Sequence, residues 1–255
     1  MSDIAQLTAY AAKTSLSVSD TEIMEIDRAE ITVEPWRWDF AVNRRPEIDR
    51  HFAALRRRRP AIWNGRVLLL HRFAIRGRTF RGACFETDYA SFCAWRDWNL
   101  PDRSVYNVFA AAALRAADGA YLVGEMAPDT AAAGLLYFPC GTPEPDDLDS
   151  GGVIDLVGNL KRELNEETGL AITGLAAVPG WIMVRDRCYI ALLKRLTARE
   201  NADALRARIM RYLASEASPE LADIRIVRSP ADLQSRMPPF VVAFLENVWR
   251  HELRI

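Results

Sequence analysis

The sequence predicts an α/β protein whose strands and helices alternate along the chain and pack in layers. Three observations support this prediction. Apolar runs of strand length recur, and amphipathic stretches of helical period lie between them. Turn-forming pairs that contain Gly or Asp separate these runs. A further turn signal, Pro101-Asp102, marks a border between a smaller α+β N-terminal unit at 21–103 and a larger α/β unit at 104–255.

The chain begins with residues 1–20, which are rich in Ser, Thr and Ala and are predicted to form an N-terminal tail or a short first helix. In the unit that follows, Gly77 supplies the turn of a β-hairpin, and Asp88 is placed to cap a helix. The predicted elements of this unit are a strand at 30–34, a helix at 46–59, hairpin strands at 65–73 and 78–85, and a helix at 88–98.

The larger unit interleaves strands and helices more regularly. The turn Asp118-Gly119 joins its first two strands, and Ser229 is placed to cap a short turn near the end of the chain. The predicted elements are strands at 105–115, 120–125 and 135–138, a helix at 152–168, strands at 171–184 and 188–195, a helix at 199–216, a strand at 224–227, a short turn at 230–233 and a helix at 238–253.

The composition is that of a globular enzyme and excludes several other classes. Among 255 residues, half are hydrophobic and 26% are charged, and the net charge is −1. This balance provides no field that would gather nucleic acid or an anionic membrane. No apolar run reaches the ~18 residues of a membrane span, and the N-terminus does not have the pattern of an export signal. The four cysteines match neither a metal knuckle nor a disulfide framework, so we expect a cytoplasmic location.

Three acidic side chains within 152–168 point to a cation site. Glu163, Glu166 and Glu167 stand at i, i+3 and i+4, so a helix places them on one strip of its surface. Each like-charge pair at this spacing costs roughly 0.2–0.5 kcal/mol, which a bound cation would offset. Carboxylate oxygens are the ligands that Mg²⁺ and Mn²⁺ prefer. Gly169 then ends the helix.

The nine residues 162–170 resemble the core of the Nudix box, Arg-Glu-aliphatic-x-Glu-Glu-x-Gly-aliphatic, at every fixed position. The resemblance implies a Nudix-type α/β/α sandwich with a mixed sheet. It also implies that Glu163, Glu166 and Glu167 ligate catalytic Mg²⁺ or Mn²⁺ and that Arg162 braces them. The expected reaction is hydrolysis of the pyrophosphate bond in a nucleoside diphosphate linked to another moiety. The competing interpretation is a solvated acidic helix face.

Upstream of this core the sequence departs from the family pattern. The box glycine and a further glutamate would fall at Leu148 and Ile154. We therefore take Gly141 as the box glycine, which implies about seven additional residues before the helix. Glu144 is then a candidate substrate-binding acid, and Asp155 is the acid nearest to the missing glutamate. The remaining acids of the loop, Asp146, Asp147 and Asp149, are interpreted as solvated residues with helix-capping roles.

The segment 141–145, Gly-Thr-Pro-Glu-Pro, resembles a Nudix subgroup that reads Gly-His-Pro-Glu-Pro and carries an insertion within the box. The region 60–70 shows a looser likeness to the same subgroup. Its members include a hydrolase that splits UDP-glucose and UDP-galactose into UMP and a sugar 1-phosphate. The resemblance therefore implies a nucleotide-sugar substrate.

Other residues have weaker functional signals. Trp181, in a strand after the box, is the tryptophan selected to stack on a nucleobase, whereas most of the seven tryptophans are expected to be core or partly buried anchors. The run at 56–59, four arginines, fits a solvated helix end better than a phosphate patch. The general base is open among the box glutamates and three later acids, Glu216, Glu220 and Asp223. Two alternative functions also stay open: a diphosphate isomerase that uses Cys140, and a nucleotide-binding or regulatory module without catalysis.

Overall fold

The computed structural model of the protein describes residues 21–60 and 62–252, so the tail predicted at 1–20 lies outside the described residues. Their strands form a nine-stranded and a three-stranded sheet. The strands are β1 (Glu22–Ile26), β2 (Arg28–Val33), β3 (Arg66–Arg76), β4 (Thr79–Asp88), β5 (Asn107–Arg115), β6 (Tyr121–Met126), β7 (Leu136–Tyr137), β8 (Cys140–Gly141), β9 (Ala176–Ala177), β10 (Trp181–Asp186), β11 (Tyr189–Thr197) and β12 (Leu221–Val227).

The α-helices of the described residues alternate with these strands. They are α1 (Asp39–Asn43), α2 (Arg45–Arg58), α3 (Tyr89–Asp97), α4 (Leu156–Thr168), α5 (Ala202–Leu213) and α6 (Pro239–Glu252). Short 3₁₀ turns lie at Pro145–Asp147, Ile172–Gly174 and Pro230–Asp232. Within the described part of the chain, no helix is both long and apolar enough to cross a membrane.

The larger sheet is mixed and lies between two helical layers. Its main order is β1-β10-β11-β5-β6-β12; β11 runs parallel to β5, and the other neighbouring strands along this order are antiparallel. Side chains of β5 alternate between two cores because successive residues of a strand point to opposite faces. Ala110 and Ala112 pack in the core formed with α4 and α5, whereas Ala111 and Ala113 pack in the core formed with α6. These layers confirm the predicted α/β fold with a mixed sheet.

The smaller sheet has the order β2-β4-β3, with β2 parallel to β4 and β3 antiparallel to it. Gly77 makes the hairpin turn at φ 59°, and the Asp88 carboxylate caps α3 by accepting a 2.8 Å hydrogen bond from the Ser91 amide. Both features were predicted. Strand β1, however, pairs with β10 in the larger sheet, so residues 21–103 contribute to both sheets. That this range forms a separate domain stays a prediction.

The helix predicted at 152–168 begins later, at Leu156. Asp155 ends the extended loop and caps α4, because its carboxylate accepts a 2.9 Å hydrogen bond from the Gly158 amide. Before it, Val153 and Ile154 form isolated bridges with Thr32 and Leu148 and are therefore not helical. The first four residues of the predicted helix thus belong to the loop.

The single strand predicted at 171–184 is also wrong. Its first part is the 3₁₀ turn at Ile172–Gly174, and only the two-residue β9 and the later β10 are extended. Gly180 separates them at φ 72°, where a side chain would approach the Ile26 carbonyl oxygen at 2.7 Å. The helix predicted at 199–216 likewise shortens to α5, because the Asn201 side chain caps its first turn.

The small sheet holds both ends of the expanded loop that precedes α4. At one end, the Leu68 amide on β3 donates a 2.8 Å hydrogen bond to the Pro143 carbonyl. At the other end, the Ile154 amide donates a 2.8 Å hydrogen bond to the Ile31 carbonyl on β2. The loop therefore reaches α4 only after it has paired with two strands of the N-terminal region.

We expect Gly169→Ala to destabilise the protein by about 1–3 kcal/mol. Gly169 ends α4 at φ 68°, where a residue with a side chain costs about 1–2 kcal/mol, and its new Cβ would lie 2.5 Å from the Tyr212 ring. Urea unfolding monitored by tryptophan fluorescence measures this loss. Gly174→Ala is the control, since nothing lies within 4 Å of its added Cβ. Equal stability of the two variants would contradict the expectation.

Candidate active site

Helix α4 is amphipathic, and its two faces have separate roles. Leu156, Leu160 and Leu164 recur at intervals of four and are buried in the core against the large sheet. Glu163 and Glu167 flank this apolar stripe, since they lie three residues after Leu160 and Leu164. The packing of the leucines therefore carries two carboxylates into partly desolvated positions beside β8.

Glu167 is the most buried acid of the cluster, with 2% of its surface exposed. The Cys140 backbone N–H donates a hydrogen bond to its carboxylate, and Oε2 is buried without a hydrogen-bond partner. Burial raises the pKa of Glu167 well above its ordinary value, and the charges of Glu163 and Glu220 raise it further. Among the described residues, no donor forms a hydrogen bond with Glu167 Oε2.

Glu163 lies against the backbone of β8. A Cβ atom at position 141 would overlap the Glu163 carboxylate, so only glycine leaves room for this acid. The Glu163 side chain is 12% exposed, and burial raises its pKa to about 7, although the nearby Arg162 opposes the shift. The structure thus brings together Gly141, the residue taken as the box glycine, and Glu163, a predicted metal ligand.

Arg162 contacts three acids. Its Nη1 lies 2.8 Å from Glu163 Oε1 and 3.2 Å from Glu166 Oε2, as expected for an arginine that braces the box glutamates. Its Nη2 lies 3.2 Å from Asp147 Oδ2. The third contact is a correction to the sequence analysis, because Asp147 is a buried residue bound to the site and not a solvated loop acid.

The remaining box glutamate differs from its neighbours. The Glu166 side chain is 56% exposed, at the open side of the cluster, and the Tyr212 hydroxyl donates a 3.1 Å hydrogen bond to its carbonyl oxygen. Glu163 and Glu167 are therefore desolvated, whereas Glu166 faces solvent. An ion that approaches the cluster from solvent would meet Glu166 first.

Two of the predicted substrate-binding residues lie in different settings. Glu144 is exposed at the start of the 3₁₀ turn before α4, where partial burial raises its pKa and the Arg162 charge opposes the rise. Trp181 is 8% exposed and belongs to the core, with Lys194 Nζ 5.0 Å from the centroid of its ring. Stacking of Trp181 on a nucleobase stays a prediction, and it would require this ring to become accessible.

Among the later acids considered as bases, only Glu220 is electrostatically coupled to the buried box acids. Its charge raises the pKa of both Glu163 and Glu167, and burial raises its own pKa. Asp223 instead accepts a 2.6 Å hydrogen bond from Arg206, and Glu216 is bonded to the Tyr212 side chain. Glu220 immediately precedes β12, the strand that pairs with β6.

The donor set fits a hard divalent cation. Glu167 presents a buried oxygen without a partner, and two further carboxylates lie beside it. Within residues 21–60 and 62–252, no group of three or more His, Cys, Asp or Glu side chains is already arranged around an ion position. The Arg162 guanidinium group engages two of these acids, Glu163 and Glu166. A cation that took both acids would replace Arg162 as their partner.

Asn159 is the second residue that the sequence analysis missed. It is fully buried, and its Nδ2 donates a 2.9 Å hydrogen bond to Asp147. A signal was present in the sequence, since Asn159 precedes Arg162 by three residues and Glu163 by four and so lies on the same strip of α4. No local pattern indicated Asp147, because its burial depends on the fold of the loop.

Comparisons with known proteins add a likeness of fold only. No family model matches the sequence, and neither does any curated protein. Among solved structures, a Nudix hydrolase from M. smegmatis, RenU, is 19% identical and has a TM-score of 0.38, with 59% of this chain and 90% of that chain covered. The MutT protein from Methanosarcina mazei Go1 is 17% identical with a TM-score of 0.39, with 58% and 95% covered.

A third similar structure is a bifunctional NMN adenylyltransferase/ADP ribose pyrophosphatase from Francisella tularensis, complexed with AMP and a Mn ion. It is 13% identical with a TM-score of 0.36, and the match covers 57% of this chain and 42% of that chain. These values are too low to assign the chain to a family. The functional assignment below therefore rests on the residues of this chain.

We expect the free energy of unfolding in EDTA to fall as the pH rises from about 4.5 to about 7.5. The folded chain raises the pKa of Glu163 from 4.5 to about 7, so it holds the proton more tightly than the unfolded chain. This contribution is complete below pH 4.5 and is lost as the pH rises through 7. Urea unfolding across this range measures the slope.

Glu163→Gln should reduce that slope, while Glu167, whose pKa burial also raises, still contributes to it. Glu246→Gln on α6, at the opposite face of the sheet, should leave the slope unchanged. Saturating Mg²⁺ should also flatten the slope for the natural chain, because the cation favours the ionised carboxylates. A slope that is the same for the natural chain and Glu163→Gln would contradict the assignment of this titration to Glu163.

Proposed function

We propose that this protein is a Nudix hydrolase that uses Mg²⁺ or Mn²⁺ to cleave the pyrophosphate bond of a nucleoside diphosphate linked to another moiety. The observation that carries the proposal is the partnerless, buried Glu167 oxygen among the acids of a complete box core. A solvated acidic helix face would not bury Glu167 at 2% exposure or place Glu163 on the backbone of Gly141.

Different residues would bind the cation, stabilise phosphate charge and accept a proton. Glu163, Glu166 and Glu167 would hold the cation, which when bound neutralises phosphate oxygens and lowers the pKa of a water molecule. Once Glu163 and Glu166 turn away, Arg162 has a guanidinium group available to stabilise phosphate charge while it stays paired with Asp147. Glu220 is the proposed general base, since its charge acts on both buried box acids and its own pKa is raised.

A UDP-sugar is the proposed substrate class, with UMP and a sugar 1-phosphate as products. The segment 141–145 and the expanded loop before α4 support this choice, because they resemble the subgroup that contains such a hydrolase. The partner is thus a small molecule.

The cytoplasmic location also stays a prediction. It agrees with the four free thiols, which are Cys84, Cys93, Cys140 and Cys188.

The structure favours hydrolysis over the isomerase alternative. Cys140 packs against the core beneath α6, and burial together with Glu167 and Glu163 raises the pKa of its thiol well above its ordinary value. A thiol held neutral in this environment is poorly suited to acid–base chemistry at a substrate carbon. A binding-only role leaves the buried acids without a purpose, since each costs stability when unpaired.

Turnover assays over a panel of diphosphates test the proposed function. The panel contains UDP-glucose, UDP-galactose, ADP-ribose, NADH, dinucleoside polyphosphates and CoA, each with Mg²⁺ or Mn²⁺. Release of UMP from the UDP-sugars would support the specific proposal, whereas release of another nucleotide would retain the reaction and change the substrate. A folded chain that turns over none of them would support the binding module.

We expect Glu166→Gln and Glu167→Gln each to lower kcat by at least ~10²-fold, the scale of losing one electrostatic stabiliser in an active site. Each substitution keeps the size of the side chain and removes one anionic ligand. Steady-state rates on the best substrate of the panel measure the effect. Glu246→Gln is the matched control and should retain the natural rate; unchanged turnover in both box variants would show that other acids carry the reaction.

The Glu220→Gln substitution tests whether Glu220 is the general base. Glu220→Gln should lower kcat by about 10²-fold, within the 10²–10⁴-fold range of general-base catalysis, and should remove the acidic limb of the kcat profile. Glu216→Gln should change neither, because the charge of Glu220, and not that of Glu216, is among the main influences on the pKa of Glu163 and Glu167. A natural pH profile in Glu220→Gln would exclude it as the base.

A further inference from the structure

Asp147 lies beside the acidic cluster, and its carboxylate accepts several hydrogen bonds. Its Oδ2 accepts hydrogen bonds from the Glu144 amide at 2.9 Å, from Asn159 Nδ2 at 2.9 Å and from Arg162 Nη2 at 3.2 Å. Its side chain is 7% exposed, and its carbonyl accepts a 2.8 Å hydrogen bond from the Asp155 amide that leads into α4. Such a residue is fixed by the loop and by the helix together.

Asn159 orients this carboxylate from the helix side. Because a carboxylate only accepts, the Asn159 amide must point its NH₂ group at Asp147, and its Oδ1 is left buried without a partner. This arrangement costs a buried acceptor its hydrogen bond. The contact between Asn159 and Asp147 is therefore maintained at a cost to stability, which indicates a role beyond packing.

We propose that Asp147, held by Asn159, is a positioning residue that keeps Arg162 from competing with the cation for Glu163 and Glu166. This inference rests on the proposed function. Arg162 divides its guanidinium group between Asp147 on one side and the two box acids on the other. When a cation takes the box acids, Asp147 is the partner that remains for Arg162.

The charge balance explains why such a partner is needed. If Asp147 were absent, Glu163 and Glu166 would be the acids left to Arg162. A cation that binds these two acids would then have to break both of their ion pairs with Arg162. With Asp147 present, one strong charge-assisted hydrogen bond persists while the others are exchanged. The upstream box position, where the family pattern has a glutamate, is Ile154 in this chain and carries no acid that could serve instead.

Binding of Mn²⁺, measured from the free-ion signal in electron paramagnetic resonance, tests the inference without substrate. Asp147→Asn should raise the Mn²⁺ dissociation constant by about 10-fold, the scale of losing a partner that orients a metal ligand. Asp146→Asn removes the same charge from the adjacent, exposed position and should change the constant by less than about 2-fold. Equal effects of the two substitutions would overturn the inference.

The same measurement in an Arg162→Gln background separates positioning from general electrostatics. Asp147→Asn should then have an effect of less than about 2-fold, because the competing guanidinium group is gone. An undiminished effect in that background would show that Asp147 acts on the cation directly and would overturn the inference. Asp147→Glu, which preserves the charge, should recover at least part of the affinity; no recovery would count against the inference.

Turnover gives a second readout that loss of folding would not produce. Asp147→Asn should lower kcat by about 10-fold at limiting Mn²⁺ with KM for the nucleotide within about 2-fold, and higher Mn²⁺ should restore the rate. If the natural chain binds Mn²⁺ but hydrolyses no diphosphate, the proposed function fails while the binding constants still decide the positioning role. A rate that Mn²⁺ does not restore would overturn that role.

Discussion

The site depends on one constraint: the leucine stripe of α4 can pack on the sheet only if two carboxylates beside it lose their water. Burial raises the pKa of both Glu163 and Glu167, and the charge of Glu163 raises the pKa of Glu167 further. A buried, ionised carboxylate without a partner costs several kcal/mol, so near neutral pH the site is stable only with protons or with positive charge among its acids. The same packing that stabilises the fold therefore creates the demand for a cation.

The N-terminal region takes part in this constraint through the backbone. The loop before α4 is longer than the family pattern, and β2 and β3 hold its two ends by hydrogen bonds at Ile154 and Pro143. Between these ends lies Asp147, whose carboxylate reaches Arg162. A long loop without such pairing would be mobile and would place its acid poorly. The small sheet thus fixes the approach to the helix and connects the N-terminal region to the acidic strip of α4 through backbone hydrogen bonds.

The local parts of this arrangement could be predicted from the sequence. The spacing of Glu163, Glu166 and Glu167 fixed their common strip, and the layered α/β order followed from the alternation of apolar and amphipathic runs. The errors arose where a distant segment decides the local structure. Residues 152–155 fit a helical pattern, but Val153 and Ile154 form bridges with distant residues, and the Ile154 amide donates a hydrogen bond to the Ile31 carbonyl. Asp147 looked like a solvated acid, because its burial depends on Asn159, on the loop and on β2 at once.

Arg162 shows why a doubly charged ion suits the cluster. In the structure described, one guanidinium group faces Asp147, Glu163 and Glu166, so a single positive charge is shared among three acids, and it leaves Glu167 Oε2 without a partner. Arginine presents its charge in a planar fork and cannot also reach the buried oxygen. A small dication carries twice the charge and accepts oxygen ligands from several directions. Glu167 Oε2 therefore suits a hard dication better than a guanidinium group, because a dication carries more charge and can accept oxygen ligands from more directions.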